Sequence, residues 1–383
     1  MDSFISGVNP VLDSSISGLN IIIGGKKMKA SKYTKFLSVV IIATAGVMNT
    51  GISYAGDMVT LLLPENVNPR WESQDAAFFV KHMQEMAPNI EVQVVNANND
   101  TATQQRQAEQ ALSKGAKVLV VIPIDGEAAA IIADMGAEEG VPVIAYDRMI
   151  QSQNTSFWVQ ADLRASGRAQ AAHIVANTQP GDVLVMLKGS PTDPNAPTIA
   201  DGQMDVLGSL FQSGERILGY ENWTQGWDPA VARQSMDQAL TKLNNNVQGV
   251  VSSNDGNAGA AVASLAEQGM AGQVPVSGLD CTVAALQMML TGEMTQSVWR
   301  DFNLMMLSTA QATIALVNGD SLDGIVVGTS PANSAGKEVP MVPVGFYNAV
   351  GEEGVAYVIE HDSSITKEDV CQGTAGATAF CSS

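Results

Sequence analysis

The run Lys117-Val118-Leu119-Val120-Val121-Ile122-Pro123-Ile124-Asp125-Gly126, followed by Val141-Pro142-Val143-Ile144-Ala145-Tyr146-Asp147-Arg148, decides the fold. Val118 to Ile122 is apolar without alternation, as a strand covered on both faces requires. Gly126 to Glu139 reads as the following helix and Val141 to Tyr146 as the next strand, which is the signature of parallel strands joined by crossover helices. Upstream the unit repeats. Asp57 to Leu63 is a strand, and Glu72 to Met86 is a helix with Ala76, Phe79, Val80 and Met83 on one face, ended at Pro88-Asn89. Ile90 to Val95 is a further strand, and Asp100 or Thr101 caps a helix that runs to Lys114 and stops at Gly115.

Downstream a second series begins near Ser166. It gives a helix to Asn177, a strand from Asp182 to Leu187, a helix through Gly202 to Gln212 and a strand near Ile217. Pro229 to Leu243 is an amphipathic helix with Asp228 as cap and Pro229 in first position, and strands from Val247 to Ser252 and from Val274 to Gly278 follow. The chain therefore divides into two successive open α/β sheets, with a crossing near Ala161-Asp162. Its 383 residues, 45% of them hydrophobic, suffice for two cores.

The formal charge is −19, and the first 55 residues, with five Lys and two Asp, take it to −22 when removed. So acidic a surface repels phosphate backbones and anionic lipid, which argues against nucleic acid and is indifferent to a neutral ligand. Lys29, Lys32 and Lys35, the apolar run from Phe36 to Met48, and Ser53-Tyr54-Ala55 make a secretion signal over residues 28–55, with maturation expected at Gly56. The apolar run falls short of the roughly 20 residues a membrane span needs. Residues 1–27 lie upstream of that signal, with Met28 as the expected initiator.

An exported chain can oxidise its cysteines, and Cys371 and Cys381 bracket a Gly/Ala-rich tail; a tail-closing disulfide is expected, with two free thiols as the alternative. Cys281 reads as a small buried residue. His82, His173 and His361 stand at no ligand-like spacing, so no metal and no cofactor are expected.

In open parallel sheets ligands sit beyond the carboxyl ends of the strands. Those ends carry Arg70-Trp71 within Pro64 to Trp71, then Asp147-Arg148, Asp193 and Asn195, Trp223 and Trp227, Asn254-Asp255, Asp280 and Trp299-Arg300. Carboxylates, carboxamides and guanidinium groups pair with vicinal hydroxyls, and an indole packs on the C–H face of a sugar ring. Helix capping accounts for any single Asp or Asn. It does not account for Arg and Trp recurring at strand ends in a chain only 15% charged.

Ala145-Tyr146-Asp147-Arg148-Met149-Ile150, Gly189-Ser190-Pro191 with Asn195-Ala196 and Gly202-Gln203-Met204, and Ser253-Asn254-Asp255-Gly256-Asn257-Ala258-Gly259 resemble the xylose-binding branch of periplasmic sugar receptors, over about Val59 to Gly319. The resemblance implies a two-lobed type I periplasmic binding protein fold with a three-segment hinge. It also implies a monosaccharide ligand, xylose first and glucose or arabinose next, passed to the permease of an ABC transporter. Lobe 1 would hold 56–161 and 301–327; lobe 2 would hold 162–300 and 328–383, with the third crossing within 337–350. Carried over by position, the sugar contacts are Arg70, Trp71, Asp147, Arg148, Asp162, Asn195, Trp223, Asp255 and Asp280, with Arg300 near a frequent Lys. Leu163 and Leu279 depart from the family pattern, which bears on the sugar's identity.

Three other readings compete. A glycosidase needs two poised carboxylates, but Arg neighbours keep carboxylates ionised and suit binding. A sugar-responsive repressor needs a basic headpiece where this chain has a signal sequence. A chemoreceptor could read the closed protein alongside the permease. The expected protein is thus periplasmic, monomeric and not an enzyme.

Overall fold

The computed structural model describes residues 56–330, 336 and 338–382; the expected signal segment, 28–55, and the residues before it lie outside them. Among the described residues thirteen strands are formed: β1 (Met58–Leu63), β2 (Glu91–Asn96), β3 (Ala116–Val121), β4 (Val143–Tyr146), β5 (Phe157–Ala161), β6 (Val183–Lys188), β7 (Ile217–Trp223), β8 (Gly249–Ser252), β9 (Ser277–Leu279), β10 (Gln296–Arg300), β11 (Gly328–Thr329), β12 (Pro340–Val344) and β13 (Phe346–Val350). The first sheet has the order β11-β12-β5-β4-β3-β1-β2 and is parallel except for the β11–β12 pair. The second has β7-β6-β8 and β13-β10-β9, joined by a parallel bridge between Val250 and Val276, with β13 alone antiparallel. This is a type I periplasmic binding protein fold.

The strands are apolar because helices cover both faces. Val59, Leu61, Val118 and Val120 pack under the helices Ala77–Met86 and Phe302–Asn318, while Leu62, Leu119 and Val121 point to the opposite core. The second lobe repeats this, with Val185, Leu187 and Val250 on one side and Leu184, Met186 and Val251 on the other. Asp100 and Asp228 cap their helices as expected, through bonds from Thr103 N (2.5 Å) and Ala230 N (2.8 Å).

The chain crosses between lobes three times: after β5 into the helix Leu163–Ala176, after β10 into Phe302–Asn318, and at Gly345 between β12 and β13. The last crossing corrects the expected boundary. β11 and β12, expected in the second lobe, belong with the first, since β12 pairs in parallel with β5, Met341 opposite Trp158 and Val344 opposite Ala161. Pro340 and Pro343 lack an N–H, so this short strand carries little sequence signal of its own. A π-helical turn over Trp71–Ala76 opens the first helix, and β5, absent from the sequence reading, completes the central sheet. The structure bonds Cys371 to Cys381, with Cα atoms 5.4 Å apart, and buries Cys281. No described helix is long and apolar enough to cross a membrane.

Candidate functional site

The carboxyl ends of β1, β4, β6, β8, β9 and β10 converge between the lobes on a narrow cleft of about 30 Å³. At its centre is an ion network that joins both lobes. Arg70 Nη2 lies 2.6 Å from Asp147 Oδ2, and Arg300 Nη1 reaches the same oxygen at 2.8 Å. Asp280 Oδ1 closes the ring, accepting from Arg300 Nη2 at 2.6 Å and Arg70 Nη1 at 3.2 Å. Asn195 Nδ2 donates to Asp147 Oδ1 at 2.5 Å, and Asn68 Nδ2 to Asp280 Oδ2 at 3.2 Å. Arg70 and Asp147 come from lobe 1, Asn195, Asp280 and Arg300 from lobe 2.

Each side chain is held from behind. The Arg70 guanidinium lies over Trp71 and Phe302, 3.9 and 4.1 Å from the ring centroids, and Arg70 Nε faces Asp75 at 3.3 Å. Trp71 gives its indole N–H to the buried Glu65. The backbone carbonyl of Asp147 accepts from Gln160, whose amide also donates to Asn195 Oδ1 at 3.0 Å. On the next flank Arg148 Nε and Trp227 Nε1 share Asp193 Oδ2 at 2.6 and 2.7 Å. Gly189 is needed here, since a Cβ would stand 2.1 Å from the Trp227 ring. Asp147, Trp227 and Asp280 all adopt positive φ (60°, 57° and 108°), strain of the kind retained where geometry serves a site.

Electrostatics separates the carboxylates. Burial would raise Asp147, but Arg300 and Arg70 outweigh it and hold the carboxyl well below the usual range. Burial also lowers Arg70, yet Asp75, Asp147 and Asp280 keep it above its ordinary value. Asp75 is lifted to about 6 by burial against the pull of Arg70 and Tyr146. Asp193 is raised by burial, partly offset by Arg148. Three guanidinium groups thus face Glu65, Asp147, Asp193 and Asp280 across the cleft, an arrangement of paired donors and acceptors suited to an uncharged polyol.

Of the residues expected from sequence, Arg70, Trp71, Asp147, Arg148, Asn195, Asp280 and Arg300 line this cleft together. Three do not. Asp162 is exposed and caps the helix Leu163–Ala176 through Ala165 N at 2.8 Å. Trp223 is half-buried at the end of β7, with Lys188 Nζ 4.8 Å from its ring, and Trp227 takes the place on the cleft wall. Asp255 turns away: Oδ1 accepts from Ser297 Oγ at 2.7 Å and Oδ2 from Thr282 N at 2.7 Å, while its neighbour Asn254 lines the cleft. Glu65 and Asn68 are cleft residues the sequence reading did not single out, although both stand in the segment Pro64 to Trp71; Asp193 and Asn254, named at strand ends but not carried over as contacts, line it too.

A family model described as periplasmic binding protein domain matches residues 59–321. The D-xylose-binding periplasmic protein of Escherichia coli is 35% identical over 250 residues, 65% of this chain and 74% of that one. The protein of the same name from Haemophilus influenzae is 33% identical over 304 residues, 79% and 88% of the two chains. A solved ABC transporter solute binding protein from Clostridium phytofermentans, holding β-D-glucose, superposes with a TM-score of 0.75 at 24% identity, over 82% of this chain and all of that one.

Proposed function

The chain belongs to the family of periplasmic binding protein domains, and on that premise we propose that it is the receptor of an ABC sugar importer. In this reading it closes on a neutral monosaccharide, xylose first and glucose or arabinose next, and hands it to the permease. The observation that carries the reading is the buried ring of Arg70, Asp147, Arg300 and Asp280, built from both lobes. A sugar bonded to groups of both lobes favours the closed state, and the closed state is what the transporter reads. The acidic balance of the cleft wall speaks against sugar acids. Two relatives named for D-xylose support the choice of sugar. Export through the segment 28–55 belongs to the same proposal.

Trp71 and Trp227 border the cleft, so intrinsic fluorescence should report closure. The protein is titrated with xylose, glucose, arabinose, galactose and ribose. A saturable change with one or two of them is expected; no change with any, together with an unshifted melting temperature, would sink the reading.

A further inference from the structure

Beside the cleft lies a larger space of about 860 Å³, within the roughly 300–1,000 Å³ of ordinary ligand pockets. Asn68, Arg70, Trp227, Asn254 and Asp280 line both spaces. The 3.2 Å contacts of Arg70 and Asn68 with Asp280 lie among these shared residues, and in the sugar-receptor reading they are groups the ligand engages.

The outer space differs from the cleft in chemistry. Its walls are Val67 and Pro69 from lobe 1, Pro229, Val283 and Met288 from lobe 2, and Ile365 from the C-terminal tail. Several of its polar groups are engaged locally: Gln74 Nε2 with Ser364 Oγ at 2.7 Å, Gln287 Nε2 with the Asp369 carbonyl at 3.1 Å, Thr282 with Asp255. Burial and the Asp280 charge lift the Asp255 carboxyl to about 8, which leaves that part of the lining uncharged at neutral pH. A second sugar ring stacks best on an aromatic platform, and the one indole among the described lining residues, Trp227, also lines the cleft. The rest of the apolar wall is aliphatic.

We propose that this receptor takes glycosides, the sugar in the cleft and an aryl or alkyl aglycone passing Asp280 into the Val67, Val283, Met288 and Ile365 groove. The inference rests on the sugar-binding reading and names its substrate class. Apolar area removed from water there adds to affinity without desolvating an unpaired polar group.

Isothermal titration of the protein with D-xylose, with p-nitrophenyl α- and β-D-xylopyranoside and with xylobiose tests it, the glucose series replacing these where glucose binds tighter. One anomer of the aryl glycoside should bind within about threefold of the free sugar or tighter, and tighter than the disaccharide. Val67→Asp and Met288→Asp, both on partly exposed positions, should each weaken that glycoside about fivefold or more and move the free sugar less than twofold. Any other pattern with the free sugar still bound overturns the glycoside assignment alone. No binding of any free sugar overturns it together with the receptor reading.

Discussion

Asp147 and Asp255 stand at strand ends in opposite lobes, each nearly out of water at 2% and 4% exposure. Their surroundings give them opposite charge states. Asp147 meets the guanidinium groups of Arg70 and Arg300 and stays ionised. Asp255 meets hydroxyls and one backbone N–H, feels Asp280 nearby, and rises to about 8. Burial is common to both, so the cation partners make the difference. The region around Asp147 is a charged ring that a ligand can enter by exchanging hydrogen bonds. The region around Asp255 is a fastening, tying the helix Asp255–Glu267 to β10 and to the start of the helix Val283–Thr291.

The sharpest way to break this contrast is to remove the ionised member. Asp147→Ala leaves two buried arginines short of a partner, which should destabilise the fold by about 3–5 kcal/mol in urea unfolding and weaken sugar binding by at least 100-fold. A variant that keeps wild-type affinity would dismiss the ring as the binding site. Asp255 gives a different signature. Its folded value lies above the ordinary 3.8, so the stability from its neutral form is complete below about pH 4, declines as pH rises, and is gone above about pH 8. The slope is at most about 1.4 kcal/mol per pH unit. Asp255→Asn should flatten that decline in urea melts between pH 5 and 8; an unchanged slope would place the charge elsewhere.

The same contrast explains what the sequence could and could not say. Fold class was legible because runs such as Val118 to Ile122 admit only a doubly covered strand, and helix starts such as Asp100 and Asp228 carry their caps openly. The site was legible to within one turn of chain. Asn254 and Asp255 are adjacent, and which of them faces the cleft depends on how the helix Asp255–Glu267 docks on Thr282 and Ser297. Trp223 and Trp227 pose the same ambiguity, resolved by a turn at Gly226, φ 64°, that swings Trp227 over Gly189 and onto Asp193. Trp227→Ala should therefore cost about tenfold in sugar affinity, roughly 1.4 kcal/mol, by fluorescence-independent titration calorimetry. Trp223→Ala should change it less than twofold, and equal losses would erase the distinction.

Asp162 provides the smallest and most discriminating test. By family position it is a sugar contact; by structure its carboxylate is exposed and accepts from Ala165 N at the start of the helix Leu163–Ala176. Losing such a cap costs about 1 kcal/mol, because one N–H of the first helical turn is left without a partner. Leu163, the next residue, does line the cleft, so the first helical residue after the hinge delivers an apolar side chain where a polar one was expected. Asp162→Ala should lower unfolding free energy by about that amount and leave the sugar dissociation constant unchanged. A loss of affinity without loss of stability would mean that the hinge rotates Asp162 inward on closure and adds it to the ring of Arg70, Asp147, Asp280 and Arg300.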